Sequence, residues 1–389
     1  MTTVLSRDAL LEHAPQAGTA PAYDPHPLRV FDDSKADPVA GQVRWKASKS
    51  IWNSAMAVAA VILGPLMFTP GAFALFLVTY LAGLCLGQSL GMHRLLIHRS
   101  FECPLWLERL FVYLGTVAGV QGPFSWIRNH DLRDWAQNQP VCHPYLSQQN
   151  TIGRDYFWQL HCELVLDKPP RMQIEPQVAN DRFFQFLERY FYLQQLPIAI
   201  VFYALGGWPW VIWGVCARVA ATGTGTWNML YWAHNDGLQN WLVKGAGIQG
   251  YNVPYSSWLS MGESWHNNHH AYPLSARFGM KDGETDPGWL MLNVLAKLGL
   301  VRDLQTPSTL PPDKVLVALD ADTASTVLAP VQFPAAGKSH SGTVNHADGL
   351  PQMAAGCPHV SSLCGAATCS RRCRGGVPPG TASPPVITY

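Results

Sequence analysis

SIWNSAMAVAAVILGPLMFTPGAFALFLVTYLAGLCLGQSLGM, residues 50–92, contains no Asp, Glu, Lys or Arg. It is long enough for two membrane crossings of roughly 20 residues each. FTPGAF (68–73) divides it near the middle, where Pro and Gly favour a tight turn. A second charge-poor stretch runs from Tyr190 to His234, broken only by Arg218, and carries its own turn signal, GGWPW (206–210). Buried helices of a soluble core rarely lack charge over such lengths. The pattern predicts an all-α integral membrane protein with four transmembrane helices in two hairpins.

The rest of the composition agrees. The 389 residues are 48% hydrophobic and 14% charged, against about a quarter charged in soluble domains. A net charge of +1 gives no case for a nucleic-acid partner. MTTVLSRDALLEHAPQ (1–16) has no basic start followed by an apolar run, so no secretory leader is expected. Of nine cysteines, Cys85, Cys103, Cys142, Cys162 and Cys216 are scattered singly and read as small core residues or reduced thiols. The tail CPHVSSLCGAATCSRRC (357–373) has no standard zinc or iron–sulfur spacing.

Three regions are expected. Residues 1–49 read as an irregular cytosolic arm and 50–304 as the working domain. Residues 305–389, rich in Pro, Ala, Ser, Gly and Thr, read as disordered. The turns near 70 and 208 lack Lys and Arg, whereas 94–189 carries many basic residues, including Arg94, Arg99, Arg109, Arg128, Arg154, Lys168 and Arg171. The positive-inside rule then puts the turns outside and everything else, both termini included, in the cytosol. The uncharged run LFVYLGTVAGVQGPFSWI (110–127) would separate two groups of histidines if it crossed. It is expected to be re-entrant or to lie in the interface, with its turn at QGPF (121–124).

Those histidines are the chemical signal. WHNNHH (265–270) places His266, His269 and His270 at i, i+3 and i+4, one helical face. Imidazole is the commonest metal-binding side chain. His93 and His98 lie five residues apart, about 140° around an ideal helix. They converge only if the helix ends there or a metal sits between flanking elements. His234 falls at the cytosolic end of the fourth predicted span. His130, Asp134 and Gln137 share a face at i, i+4 and i+7, and His143 and His161 are possible spare ligands. Taken singly, each segment also reads as a polar helix face.

GMHRLLIHRSF (91–101) and GESWHNNHHAYP (262–273) closely resemble the first and last histidine boxes of membrane fatty acyl desaturases of the stearoyl-CoA type. Trp227 with Ala233 and His234 resembles that family's additional ligand segment. Residues 278–304 resemble the amphipathic helix that follows the last box in bacterial members. The resemblance covers roughly 50–304. It implies a cytosolic helical cap holding two non-haem iron ions and O2-dependent insertion of a double bond into a fatty acyl chain, carried on CoA or a membrane lipid. It further implies a separate electron donor, a ferredoxin or small cytochrome fed by an NAD(P)H reductase. No dinucleotide fingerprint of the G-x-G-x-x-G kind is expected to follow a strand, and no fused haem or ferredoxin domain is visible. The implied metal ligands are His93, His98, His130, Asp134, His234, His266, His269 and His270.

Two departures stand out. The family's middle box is H-x-x-H-H, but here the positions are His130, Arg133 and Asp134. Arginine stays protonated and cannot ligate; aspartate can, so Asp134 is expected to replace one imidazole. The family's polar Asn four residues before the box histidine is Leu230, the nearest Asn being Asn228. These differences keep other outcomes open: a fatty-acid hydroxylase or alkene-forming decarboxylase on the same scaffold, or a metal-binding membrane protein without oxidative chemistry. Acyl carrier, chain length and bond position are not legible.

Overall fold

The structure, a computed structural model, describes residues 29–310 and 316–319; the start of the arm, most of the C-terminal segment and the cysteine-rich tail lie outside the described residues. The described part is mostly helical and belongs to one unit, residues 1–330.

Short strands come first. Val30–Asp32 (β1) pairs with Arg171–Met172 (β4), and Gly41–Trp45 (β2) with Cys162–Leu166 (β3), both antiparallel. The arm is therefore not irregular over these residues. Its strands are stabilised by partners more than a hundred residues away, which no local pattern reveals. Between β1 and β2, Asp37 accepts backbone bonds from Val39 and Ala40 and sets the bend.

Among the described residues, three helices are long and apolar enough to cross a membrane: Ala47–Leu66 (α1), Pro70–Ile97 (α2) and the continuous stretch Phe191–Asn235. Only 6%, 28% and 17% of their most apolar windows are buried, so these apolar surfaces face outward, as a lipid-facing helix requires and a soluble core helix does not. The α1–α2 turn is built by Thr69, whose side chain accepts from the Ala72 N–H, with Pro70 in the first turn, an N-cap followed by a residue already fixed for helix.

The 45-residue stretch would run ~68 Å if straight, over twice the hydrocarbon thickness of about 30 Å. It is not straight. Gly207 has φ +65°, a conformation open to glycine, and the chain reverses there. The Phe202 ring packs against Gly214, which a straight helix would hold ~18 Å away. Trp213 closes the arrangement, its ring against Phe68, Phe73 and Phe76. Arg218, the lone charge here, is buried and donates to Gly214 O, Val117 O and Gln195 Oε1, so its donors are met inside the protein.

Residues 105–137 form two helices, Leu105–Val117 (α3) and Pro123–Gln137 (α4); neither is among the three long apolar ones. α3 lies hard against the end of α2. A Cβ on Gly91 would collide with the Phe111 backbone, and one on Gly87 with Leu114 and Gly115. Small residues four apart let two backbones approach this closely. Beneath the contact, Met92, Leu96 and Ile97 pack with Val112, Ile127, Phe184 and Leu187.

Further along, Ile152–His161 (α5), Arg182–Arg189 (α6), Gln195–Val211 (α7), Arg218–Asn235 (α8), Trp241–Val243 (β5), His266–Ala271 (α9) and Pro287–Lys297 (α10) follow. The last is capped by Asp286, which accepts from the Trp289 N–H. Leu316–Ala318 (β6) pairs with β5, so part of the expected disordered tail is a strand. GAGIQG (245–250) does have the G-x-G-x-x-G spacing and does follow a strand, contrary to the expectation. It opens no helix, however, and its strand sits in a two-stranded antiparallel pair, so the helix N-terminus that would face a pyrophosphate is missing from the arrangement.

Candidate metal centre

The α2 helix changes character before it ends. Gly83–Ile97 is a π-helix, and the His98 N–H bonds the His93 carbonyl at 3.1 Å, five residues back. Bonding at i to i+5 brings residues five apart onto one face. The divergence expected for H-x4-H on an α-helix is thereby removed, and the two rings lie 4.8 Å apart, centroid to centroid.

Two groups of imidazoles result. His93, His98, His130 and His269 place one ring nitrogen each within 4.8 Å of the others; His234, His266 and His270 do the same. In the first, His93 Nε2 and His130 Nε2 are 3.1 Å apart. In the second, His266 Nε2 lies 3.3 Å from His234 Nε2 and 3.0 Å from His270 Nε2. The helix α9 therefore serves both groups: its i and i+4 histidines belong to one, its i+3 histidine to the other. His143 and His161 are in neither. The His143 ring accepts from the Tyr145 N–H and His161 pairs with Ser50.

The carboxylates stand behind the rings. Glu263 bonds His93 Nδ1 and Ser89 Oγ. His130 Nδ1 faces Asp131 at 3.4 Å and Asp134 at 3.5 Å; Asp134 is in neither histidine group. Asp131 is tied in turn to Arg29, which also bonds Glu175 and the Leu96 and Ile97 carbonyls. Thus the arm holds the end of the π-helix. His234 is oriented differently: its Nδ1 lies 2.8 Å from the Leu230 carbonyl, which places the proton on Nδ1 and leaves the Nε2 lone pair facing the group. At Leu230 it is the backbone carbonyl that bonds the histidine.

Other partners were silent in the sequence. Asn267 and Asn268, fully buried, lash α9 in place. Asn267 accepts from the Asn240 and Trp241 N–H groups and donates to Trp241 and Gly250; Asn268 donates to Phe278 and Glu284. Arg94, also fully buried, pairs with Asp286, donates to Met261 and Ala276, and stacks on Phe278. Gln137 Nε2 donates to the Leu146 carbonyl at 2.9 Å and lies 3.0 Å from His234 Nε2. Apart from Gln137, which shares a helical face with His130 and Asp134, the local hint of these was the polar Asn267–Asn268 pair within WHNNHH.

The electrostatics suit a cation. Burial, and then repulsion from neighbouring imidazoles, holds His266 and His269 well below the ordinary histidine range; His270 is lowered as well. These rings are neutral near pH 7 and offer lone pairs. Burial would also depress His130, but Asp134 and Asp131 outweigh it and raise its pKa. Glu263, which burial alone would raise, is lowered by His93, Arg94 and Ser89. Neutral imidazoles gathered nitrogen to nitrogen cannot all satisfy one another, and His269 Nδ1 is buried with no hydrogen-bond partner. One cation within each group would be faced by every ring at once, so the residues fit a pair of metal ions with nitrogen-rich surroundings.

The fatty acid desaturase family model matches residues 70–280, which span both groups. The chain is 33% identical to an sn-1 stearoyl-lipid 9-desaturase of Synechocystis sp., over 61% of this chain and 71% of that one. It is 33% identical to the protein of the same name from Anabaena variabilis, over 62% and 86%, and 30% identical to an acyl-CoA 5-desaturase of Anemone leveillei, over 66% and 82%. With the histidine groups inside the matched region, the chain belongs to the fatty acid desaturase family and is a fatty acyl desaturase.

Proposed function

We propose that the protein is a membrane di-iron desaturase that uses O2 and two electrons from an external donor to place a double bond in a fatty acyl chain. The observation that carries this is the pair of buried imidazole groups bridged by α9. An unactivated methylene resists side-chain acid–base chemistry, and iron with O2 supplies the oxidising power. His93, His98, His130 and His269 would hold one iron; His234, His266 and His270 the other. Asp134 orients His130 and contributes negative charge to the centre. Glu263 and the Leu230 carbonyl fix the tautomers of His93 and His234, a usual duty of groups behind a ligand. Burial of all seven rings, save partial exposure at His130 and His270, keeps bulk water from the centre.

The reversal at Gly207 supports four spans, with α7 and α8 as the third and fourth. The Arg-rich segments between 94 and 189 support a cytosolic centre and cytosolic termini. The substrate is an acyl chain on a membrane lipid or on CoA, and the donor is a ferredoxin or small cytochrome served by an NAD(P)H reductase. The test is the lipid profile of cells expressing the protein, in air and without oxygen, beside His269→Ala. New unsaturated chains should appear only in air and only with the parent protein, which should carry about two irons per chain. Oxygen-independent product, hydroxylated chains, terminal alkenes, or full activity without iron would refute the proposal.

A further inference from the structure

The two histidine groups are built unequally. Four rings form the first, and two of them are backed by carboxylates: Glu263 behind His93, Asp131 and Asp134 behind His130. Three rings form the second. Among the described residues, no carboxylate forms an ion pair with His234, His266 or His270; Asp134, which pairs with His130, reaches His270 only through its charge from farther off, and His234 is backed only by a neutral carbonyl. Where a further donor is wanted, Gln137 brings an amide. Its nitrogen, pinned by Leu146 O, lies 3.0 Å from His234 Nε2, so an N–H occupies the lone pair that a metal would use. The amide oxygen is buried and has no partner.

Charge adds to the difference. Arg133 bonds the neutral amides of Gln148 and Gln159, its Nε is buried and unbonded, and it makes no ion pair among the described residues. Gln148 also accepts, through its backbone carbonyl, from Asn235, the neighbour of His234, so the guanidinium lies toward the second group. Beside a dication, an unpaired positive charge is repulsive.

We infer that the two positions bind metal stepwise: the His93–His98–His130–His269 position fills first and holds its ion, whereas the His234–His266–His270 position is weak, fills last and is lost first. The inference rests on the two-metal reading above. Each missing carboxylate behind a ligand is worth roughly 10–100-fold in affinity, so the steps should differ by at least about tenfold.

The test is a cobalt(II) titration of metal-stripped, full-length protein in detergent, followed by the visible absorption of the bound ion and by metal analysis after gel filtration. Two resolved steps are expected. His98→Ala should remove the tight step and His234→Ala the weak one. Arg133→Leu, which removes the charge and brings no donor atom, should tighten the weak step roughly tenfold and leave the tight step alone. Two steps of equal affinity, loss of the tight step in His234→Ala, or no response to Arg133→Leu would each overturn the inference. So would a weak step that collapses in Asp134→Asn, because Asp134 would then be a ligand of the second position. No cobalt uptake by folded protein would sink the two-metal reading itself, and the inference with it.

Discussion

Glu263→Gln isolates one charge at the centre. The Glu263 side chain is nearly buried, accepts from Ser89 and His93, and approaches Arg94 Nε to 3.5 Å. Glutamine keeps the shape and one acceptor oxygen but removes the negative charge. A hydrogen bond to a charged group contributes ~1.5–3 kcal/mol and a neutral one ~1, so the hold on His93 weakens by about 1–2 kcal/mol. Arg94 keeps Asp286, so no buried cation is stranded and the fold should survive. The lost charge behind a ligand should lower metal affinity at the His93 position roughly 10–100-fold. The assay is competition with a chelator of known strength, read by metal analysis, with circular dichroism to confirm the fold. The position of His234 should be unaffected. Unchanged affinity at the His93 position, in a correctly folded variant, would refute the idea that Glu263 governs that ring.

Arg94→Ala should be far more damaging, because Asp286 is then a buried carboxylate without its cation; about 3–5 kcal/mol should appear as a large fall in the thermal midpoint in detergent. Gly91→Ala forces a methyl into the Phe111 backbone and should cost about 1–3 kcal/mol while loosening metal at His93. Gly83→Ala, whose nearest neighbour would be 3.7 Å away, should be tolerated, and equal damage from both would show that backbone approach is not the cause. Deleting residues 320–389 should leave metal content intact, whereas deleting from 311 onward also removes β6 and exposes β5, which Asn267 grips. Comparing iron per chain in the two truncations checks this, and equal iron content in both would rule out a supporting role for β6.

The charge-free run at 50–92 and the run at 190–234, broken only by the internally bonded Arg218, determined the long helices, because lipid-facing surfaces must be apolar along their whole length. The turn residues Thr69, Pro70 and Gly207 marked the reversals, since capping and positive φ demand particular side chains. The spacing of His266, His269 and His270, together with the two resembling boxes, pointed to a metal centre and to the family. What stayed hidden was contact between distant segments. Whether His93 and His98 converge depends on a π-helical end to α2, which arises where Gly87 and Gly91 admit α3; the period of the sequence does not contain it. Likewise the division of α9 between two groups, the placing of Asp134 behind His130, the amide of Gln137 at His234 and the strand pairings of the arm are set by tertiary packing. A side chain's identity fixes what it can bond, but its partner is chosen by the fold that brings the two within reach.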